Sequence, residues 1–164
     1  GDGINNAGAM VAQLLNQFGY RIYLYFDYPS LIRGGHNFAI VRGRETATGT
    51  CGALVDFVLA IDQESVERHR NAWKGDTAVI FNRDQVKAPG QGISVKEILS
   101  AEHAPAIMGN SAMIGGFAKA AGIGWEPLSS MPNRRRYSLS NSSTWLCIIS
   151  VASCGTRYGL PCWA

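Results

Sequence analysis

The apolar residues Met10, Val11, Leu14, Leu15 and Phe18 recur in steps of three and four, so they share one face of a helix predicted over residues 4–18. Gly19 is placed to stop it, because a residue past a helix end often needs the left-handed conformation that glycine adopts freely. Residues 21–26, aromatic and β-branched, predict a buried strand. A connection over residues 27–35 leads to a second apolar run, Phe38 to Val41. DFVLAI (56–61) and TAVIF (77–81) are uninterrupted apolar strands, of the kind that helices cover on both faces. Residues 63–73 between them are polar and helix-forming. Ser94, with Glu97 three residues on, predicts a capping box at the head of a helix over residues 94–99. The Ala-, Gly- and Met-rich stretch from Asn110 to Gly122 predicts a helix packed closely against a neighbour. Strands alternating with helices predict an α/β fold, a three-layer α/β/α domain on a mostly parallel or mixed sheet. There is no internal repeat.

The two edges of the chain break this rhythm. A glycine-rich turn normally follows a strand, yet the sequence opens on one, so a first strand is expected to be missing upstream and the domain to be truncated at its start. From residue 132 the sequence is rich in Ser, Arg, Cys and Trp. Residues 1–132 carry 11 basic and all 12 acidic side chains, whereas residues 133–164 carry four arginines and no acid. The reading therefore divides the chain into a domain over residues 1–131 and an atypical tail over 132–164, expected to be a frameshifted or mis-spliced continuation.

Composition narrows the class. A chain of 164 residues with 46% hydrophobic content and a net charge of +3 is one ordinary globular domain, able to bury roughly 70% of its unfolded surface without a metal or disulfide staple. No apolar stretch approaches the ~20 residues of a membrane span, and no basic region followed by an apolar run marks a signal peptide. The expectation is a cytoplasmic protein with no membrane partner.

Candidate chemistry gathers in two places. GDGINNAG (1–8) puts Gly1, Gly3 and Gly8 at the mouth of a helix, where backbone N–H groups and the dipole favour an anion. A dinucleotide fingerprint would add a third glycine and an acid some ~20 residues on. Asp27 suits the acid, but Asn6 stands in place of the glycine, and a plain packing turn competes with the nucleotide reading. The second place is FDYPSLIRGGHNFAIVRG (26–43). Here Ser30 offers a hydroxyl, Arg33 a planar fork of donors for a phosphate or carboxylate, and Gly34 and Gly35 a backbone that a ligand can approach. The same loop could equally serve as a subunit contact, with Arg33 in an ion pair.

Other candidates are declined. His36, His69 and His103 lie far apart with no i, i+3 or i+4 partner, so no metal site is expected; His36 is kept only because it follows Arg33-Gly34-Gly35 directly. Cys147, Cys154 and Cys162 are spaced too widely for an iron–sulfur cluster, and Cys51 is isolated. Arg134, Arg135 and Arg136 lack the aromatic pattern of a nucleic-acid interface, and no nucleic acid is expected. Asp62, Glu64 and Glu67 read as acids at an exposed helix start, not as paired catalytic carboxylates. No catalytic residue is assigned.

Taken together, GDGINNAG, YPSLIRGGHN, AIVRG, DFVLAIDQESVERH and IMGNSAMIGGFAKAAG resemble, in order from residue 1 to about 128, the gamma module of the 2-oxoacid:ferredoxin oxidoreductases, the family of the pyruvate, ketoisovalerate and 2-oxoglutarate enzymes. The resemblance implies an enzyme that oxidatively decarboxylates a 2-oxoacid, joins the acyl group to coenzyme A and passes electrons through iron–sulfur clusters to ferredoxin. It implies thiamine diphosphate in the alpha and beta partners, clusters in partner modules including a delta subunit, and a gamma module inactive alone that helps to bind coenzyme A and completes the active site. By the same resemblance Gly1, Gly3, Asn5, Ser30, Arg33, Gly34, Gly35, His36 and Asn37 are expected at a coenzyme A or subunit surface. Two rivals stand beside it, a stand-alone nucleotide-binding domain and a structural subunit-interaction module.

Overall fold

The computed structural model describes residues 2–27, 35–47, 49–50, 52–123 and 144–153. Helix α1 (Asp2–Gln17) opens the chain. Strands β1 (Arg21–Asp27), β2 (Gly35–Arg44) and β3 (Val55–Ala60) follow, then α2 (Gln63–His69) with a short 3-10 turn over Arg70–Ala72. Next come β4 (Trp73–Asn82), β5 (Gln91–Ile93), α3 (Val95–Ala101), α4 (Gly109–Ala120) and β6 (Thr144–Ser153). The six strands form one mixed sheet in the order β1-β2-β6-β3-β4-β5. β1, β2 and β6 pair antiparallel, while β6, β3, β4 and β5 run parallel.

Strand alternation divides the core between two faces. Ala39, Val41, Phe57, Leu59 and Ile80 pack against α1, α3 and α4, where Val11, Leu15 and Phe117 are fully buried. Ile40, Val58, Ala60, Val79 and Phe81 point the other way, onto Val66 of α2 and onto Val86. This is the expected three-layer α/β/α arrangement on a mixed sheet.

Several local expectations hold for the reasons that motivated them. Gly19, at φ +91°, lets its own N–H reach Asn16 O and that of Tyr20 reach Leu15 O, which closes the end of α1. Gly122 does the same for α4 at φ +69°. Asp62 caps α2, its Oδ1 accepting from Ser65 N at 2.8 Å and from Ser65 Oγ at 2.7 Å. The small residues of α4 do permit close packing: a Cβ at Gly116 would collide with Ile93 Cδ1.

Others are corrected. α1 starts at Asp2, so Gly3 and Asn5 lie inside its first turn and Gly8 lies mid-helix rather than at its mouth. The polar helix ends at His69, and Trp73 instead begins β4 with the Arg70 guanidinium over its ring at 5.5 Å. Ser94 makes no side-chain cap on α3. Asp84 takes that role, its Oδ2 accepting from Lys96 N at 2.7 Å and its Oδ1 from Ser94 Oγ at 3.3 Å, while Glu97 pairs with Arg83 at 2.9 Å. Apart from these corrections, residues 144–153 form a strand between β2 and β3, with Ile148 opposite both Ile40 and Val58.

Candidate functional site

The parallel strands β6, β3 and β4 set a common carboxyl end, and several chain segments meet there. β2 runs against them, so its start is at that end: His36 pairs with Ala152 and Asn37 with Val151, beside the end of β3 where Ala60 pairs with Ser150. β1 finishes there too, its last residue Asp27 opposite Phe38. α2 begins directly after β3, behind the Asp62 cap. α1 also points its first turn this way, because its middle residue Gly8 lies on Phe26 and Ala39 near the strand ends, while Leu15 lies at the far end beside Gly43.

On the α1 face, the first-turn N–H groups have no intrahelical carbonyl to donate to, and the helix dipole adds a positive field. Asn5 stands three residues before Gly8 and so on the same side of the helix, one turn nearer the strand ends. Its Oδ1 is buried and has no hydrogen-bond partner among the described residues. Across the turn, Gly3 faces α4, and a Cβ there would come within 2.6 Å of Asn110 Nδ2. Gly3 and Gly8 therefore let α1 settle against α4 and the sheet; a Cβ at Gly8 would lie 2.9 Å from that of Ala39.

The α2 face is different in chemistry. His36 Nε2 and His69 Nε2 lie 2.7 Å apart, so one ring donates and the other accepts. The rings stand 4.9 Å centroid to centroid, and Phe38 meets His69 edge-on at 4.9 Å and His36 at 5.9 Å. Burial lowers both imidazoles: His69 is pushed down to about 4 by desolvation first, then by His36 and Arg68. Desolvation and Arg68 lower His36, against smaller opposing effects of Asp62, Glu64 and Asp27. Both rings are therefore neutral near pH 7.

Of the residues singled out from the sequence, Gly1, Ser30, Arg33 and Gly34 lie outside the described residues. Gly3 and Asn5 are in the first turn of α1, and Gly35, His36 and Asn37 open β2, so both groups reach the same end of the sheet. They are split by strand alternation, His36 toward α2 and Asn37 toward α1. Asp27 ends an edge strand that pairs antiparallel, which is not the parallel context of a dinucleotide fingerprint. Sequence spacing missed His69 and Asn110. His69 is 33 residues from its partner, and the signal that could have found it is its place at the end of the helix following β3. Among the described residues, no group of three or more His, Cys, Asp or Glu could hold a metal ion, and no helix is long and apolar enough to cross a membrane.

The architecture is that of an open α/β domain whose polar groups collect beyond the carboxyl ends of its parallel strands, where such sheets bind ligands. The chain belongs to the family described as pyruvate ferredoxin/flavodoxin oxidoreductase, whose sequence model matches residues 1–133. The resemblance read from YPSLIRGGHN and its companions is thus borne out. No curated protein matches the chain. Membership makes the chain a module of a larger, multi-domain or multi-subunit oxidoreductase, in a family associated with thiamine diphosphate and iron–sulfur clusters.

Proposed function

We propose that this chain is the gamma module of a 2-oxoacid:ferredoxin oxidoreductase, with residues 1–131 as the module proper, and that its share of the work is to receive coenzyme A and complete the active-site wall. The single observation that carries this reading is the meeting of the α1 first turn, where Asn5 Oδ1 has no hydrogen-bond partner among the described residues, and the Gly35–Asn37 end of β2 at one carboxyl edge. An anionic, amide-rich ligand fits there. Coenzyme A has a pyrophosphate and a 3′-phosphate for backbone N–H groups and for Arg33, and amides for Asn5 and Asn37. Gly1, Ser30 and Gly34 belong to the same proposed surface.

Thiamine diphosphate is assigned to the alpha and beta partners and the clusters to partner modules including delta, with ferredoxin reduced through the assembled, cytoplasmic complex. The decarboxylation chemistry is the cofactor's. This chain's residues bind and orient.

Co-purification tests the reading. A tagged chain expressed anaerobically with the thiamine- and cluster-bearing subunits is expected to emerge in one complex that oxidises a 2-oxoacid in a coenzyme A-dependent way, and to be inactive alone. A chain that emerges alone, from subunits shown to be folded, overturns it.

A further inference from the structure

The geometry points to His69 as a positioning residue: from the end of α2 it holds His36, and with it the first residues of β2 at the ligand-facing edge, through an imidazole–imidazole hydrogen bond. The inference rests on the proposed coenzyme A surface for its functional consequence, though not for its structural content.

The start of β2 meets that hold on its α2 face. Gly35, His36 and Asn37 pair with Ser153, Ala152 and Val151 of β6. On the α2 face, His36 meets His69 at 2.7 Å, and Phe38 packs against both rings. His69 is itself well fixed. It is 8% exposed, on a helix capped by Asp62 and anchored by Val66, which is buried against Ile40, Val58 and Phe81. The hydrogen bond therefore ties the start of β2 to a rigid element, and Asn37, on the opposite face of the same strand, is placed with it.

The bond carries a condition. Two Nε2 atoms can share one proton, but two protonated rings would both be donors and would repel. Burial of both rings and the Arg68 guanidinium beside them oppose charging, whereas Asp27 on β1 and Asp62 and Glu64 at the head of α2 favour it at His36. The hold is intact at neutral pH and is lost in acid.

The test uses the 164-residue chain as wild type, His69→Gln and His69→Leu. Nitrogen-15 spectra of the wild-type rings at pH 7 should show one Nε2 carrying hydrogen and the other without. Amide exchange at residues 36–38 should rise tenfold or more in His69→Leu, with the amides of α1 and α4 unchanged, and should return at least halfway in His69→Gln, whose amide can still bond His36. Coenzyme A binding by calorimetry should weaken in the same order. Two rings that both carry hydrogen on Nε2, or equal exchange at residues 36–38 in all three chains, overturn the proposal. The wild-type spectra decide the matter even if His69→Leu does not fold. Failure of wild-type chain to bind coenzyme A would count against the coenzyme A reading alone, since the spectra and the exchange rates do not depend on it.

Discussion

Gly8 provides a quantitative test of whether the glycines of GDGINNAG serve packing or a phosphate turn. In a mid-helix position, Gly→Ala stabilises by about 1 kcal/mol when the methyl group has room. At Gly8 it has none: the new Cβ would lie 2.9 Å from Ala39 Cβ and 3.0 Å from Phe26 Cε1. Ordinary carbon contacts are near 3.5–4.0 Å, so α1 must lift by about half an ångström or more, or the Phe26 ring must turn. Ala39 cannot yield, because its Cβ is fixed to a fully buried backbone in the middle of β2. Overpacking of this kind costs about 1–3 kcal/mol. Subtracting the helical gain leaves a net destabilisation of about 1 kcal/mol. Gly115 is the internal control, since it is also inside a helix, in α4, with open space where its Cβ would stand. Gly115→Ala should stabilise by up to about 1 kcal/mol. Urea unfolding of the two variants and the wild type should therefore separate them by about 2 kcal/mol. Gly8→Ala equal to or more stable than Gly115→Ala would refute the argument that contact with Ala39 and Phe26 sets the need for glycine.

Unfolded His69 takes a proton near its ordinary value of 6.5 while folded His69 resists until about 4, so the unfolded chain binds more protons in that window and stability falls as pH drops through it; the loss by about pH 5 is about 2 kcal/mol, read as a smaller acid slope in urea unfolding of His69→Gln, and equal slopes would contradict it. Asp84→Ala removes the acceptor for Lys96 N and should cost about 1 kcal/mol, with faster amide exchange in the first turn of α3, whereas Glu97→Ala, which breaks an exposed pair, should cost under about 0.5 kcal/mol; the reverse order would restore Ser94 and Glu97 as the cap. Ile148→Pro removes a backbone donor from a strand paired on both sides, which central strands do not tolerate, and should leave the chain aggregated on size-exclusion chromatography; an unchanged monomer would count against β6 as an interior strand.

Most of the scaffold was legible because its signals are local. The spacing of Val11, Leu14, Leu15 and Phe18, the apolar runs DFVLAI and TAVIF and the Gly19 stop each follow from burial or from glycine's backbone freedom, and each element formed where those terms act. The cap on α3 was misread because Asp84 reaches Lys96 N across a turn and Ser94 matches only the local pattern. β6 was missed because strand formation depends on neighbours more than on intrinsic preference, and an unusual composition drew attention from the apolar run around Ile148. Of the site, the sequence marked both chain segments that meet at the carboxyl edge, through GDGINNAG and the loop leading to His36. It did not mark His69, since the contact exists only once α2 packs back over β2. It also placed His36 and Asn37 together as neighbours, though strand alternation sends them to opposite faces.

The central claim is that this carboxyl edge receives coenzyme A, and the apparent KM for coenzyme A in the assembled oxidoreductase tests it most directly. Arg33→Ala and Asn5→Ala should each raise that KM about tenfold, the loss of one charge-assisted or buried hydrogen bond, with the KM for the 2-oxoacid and the subunit composition unchanged. An unaltered KM for coenzyme A in both variants, in an intact complex, would contradict the account.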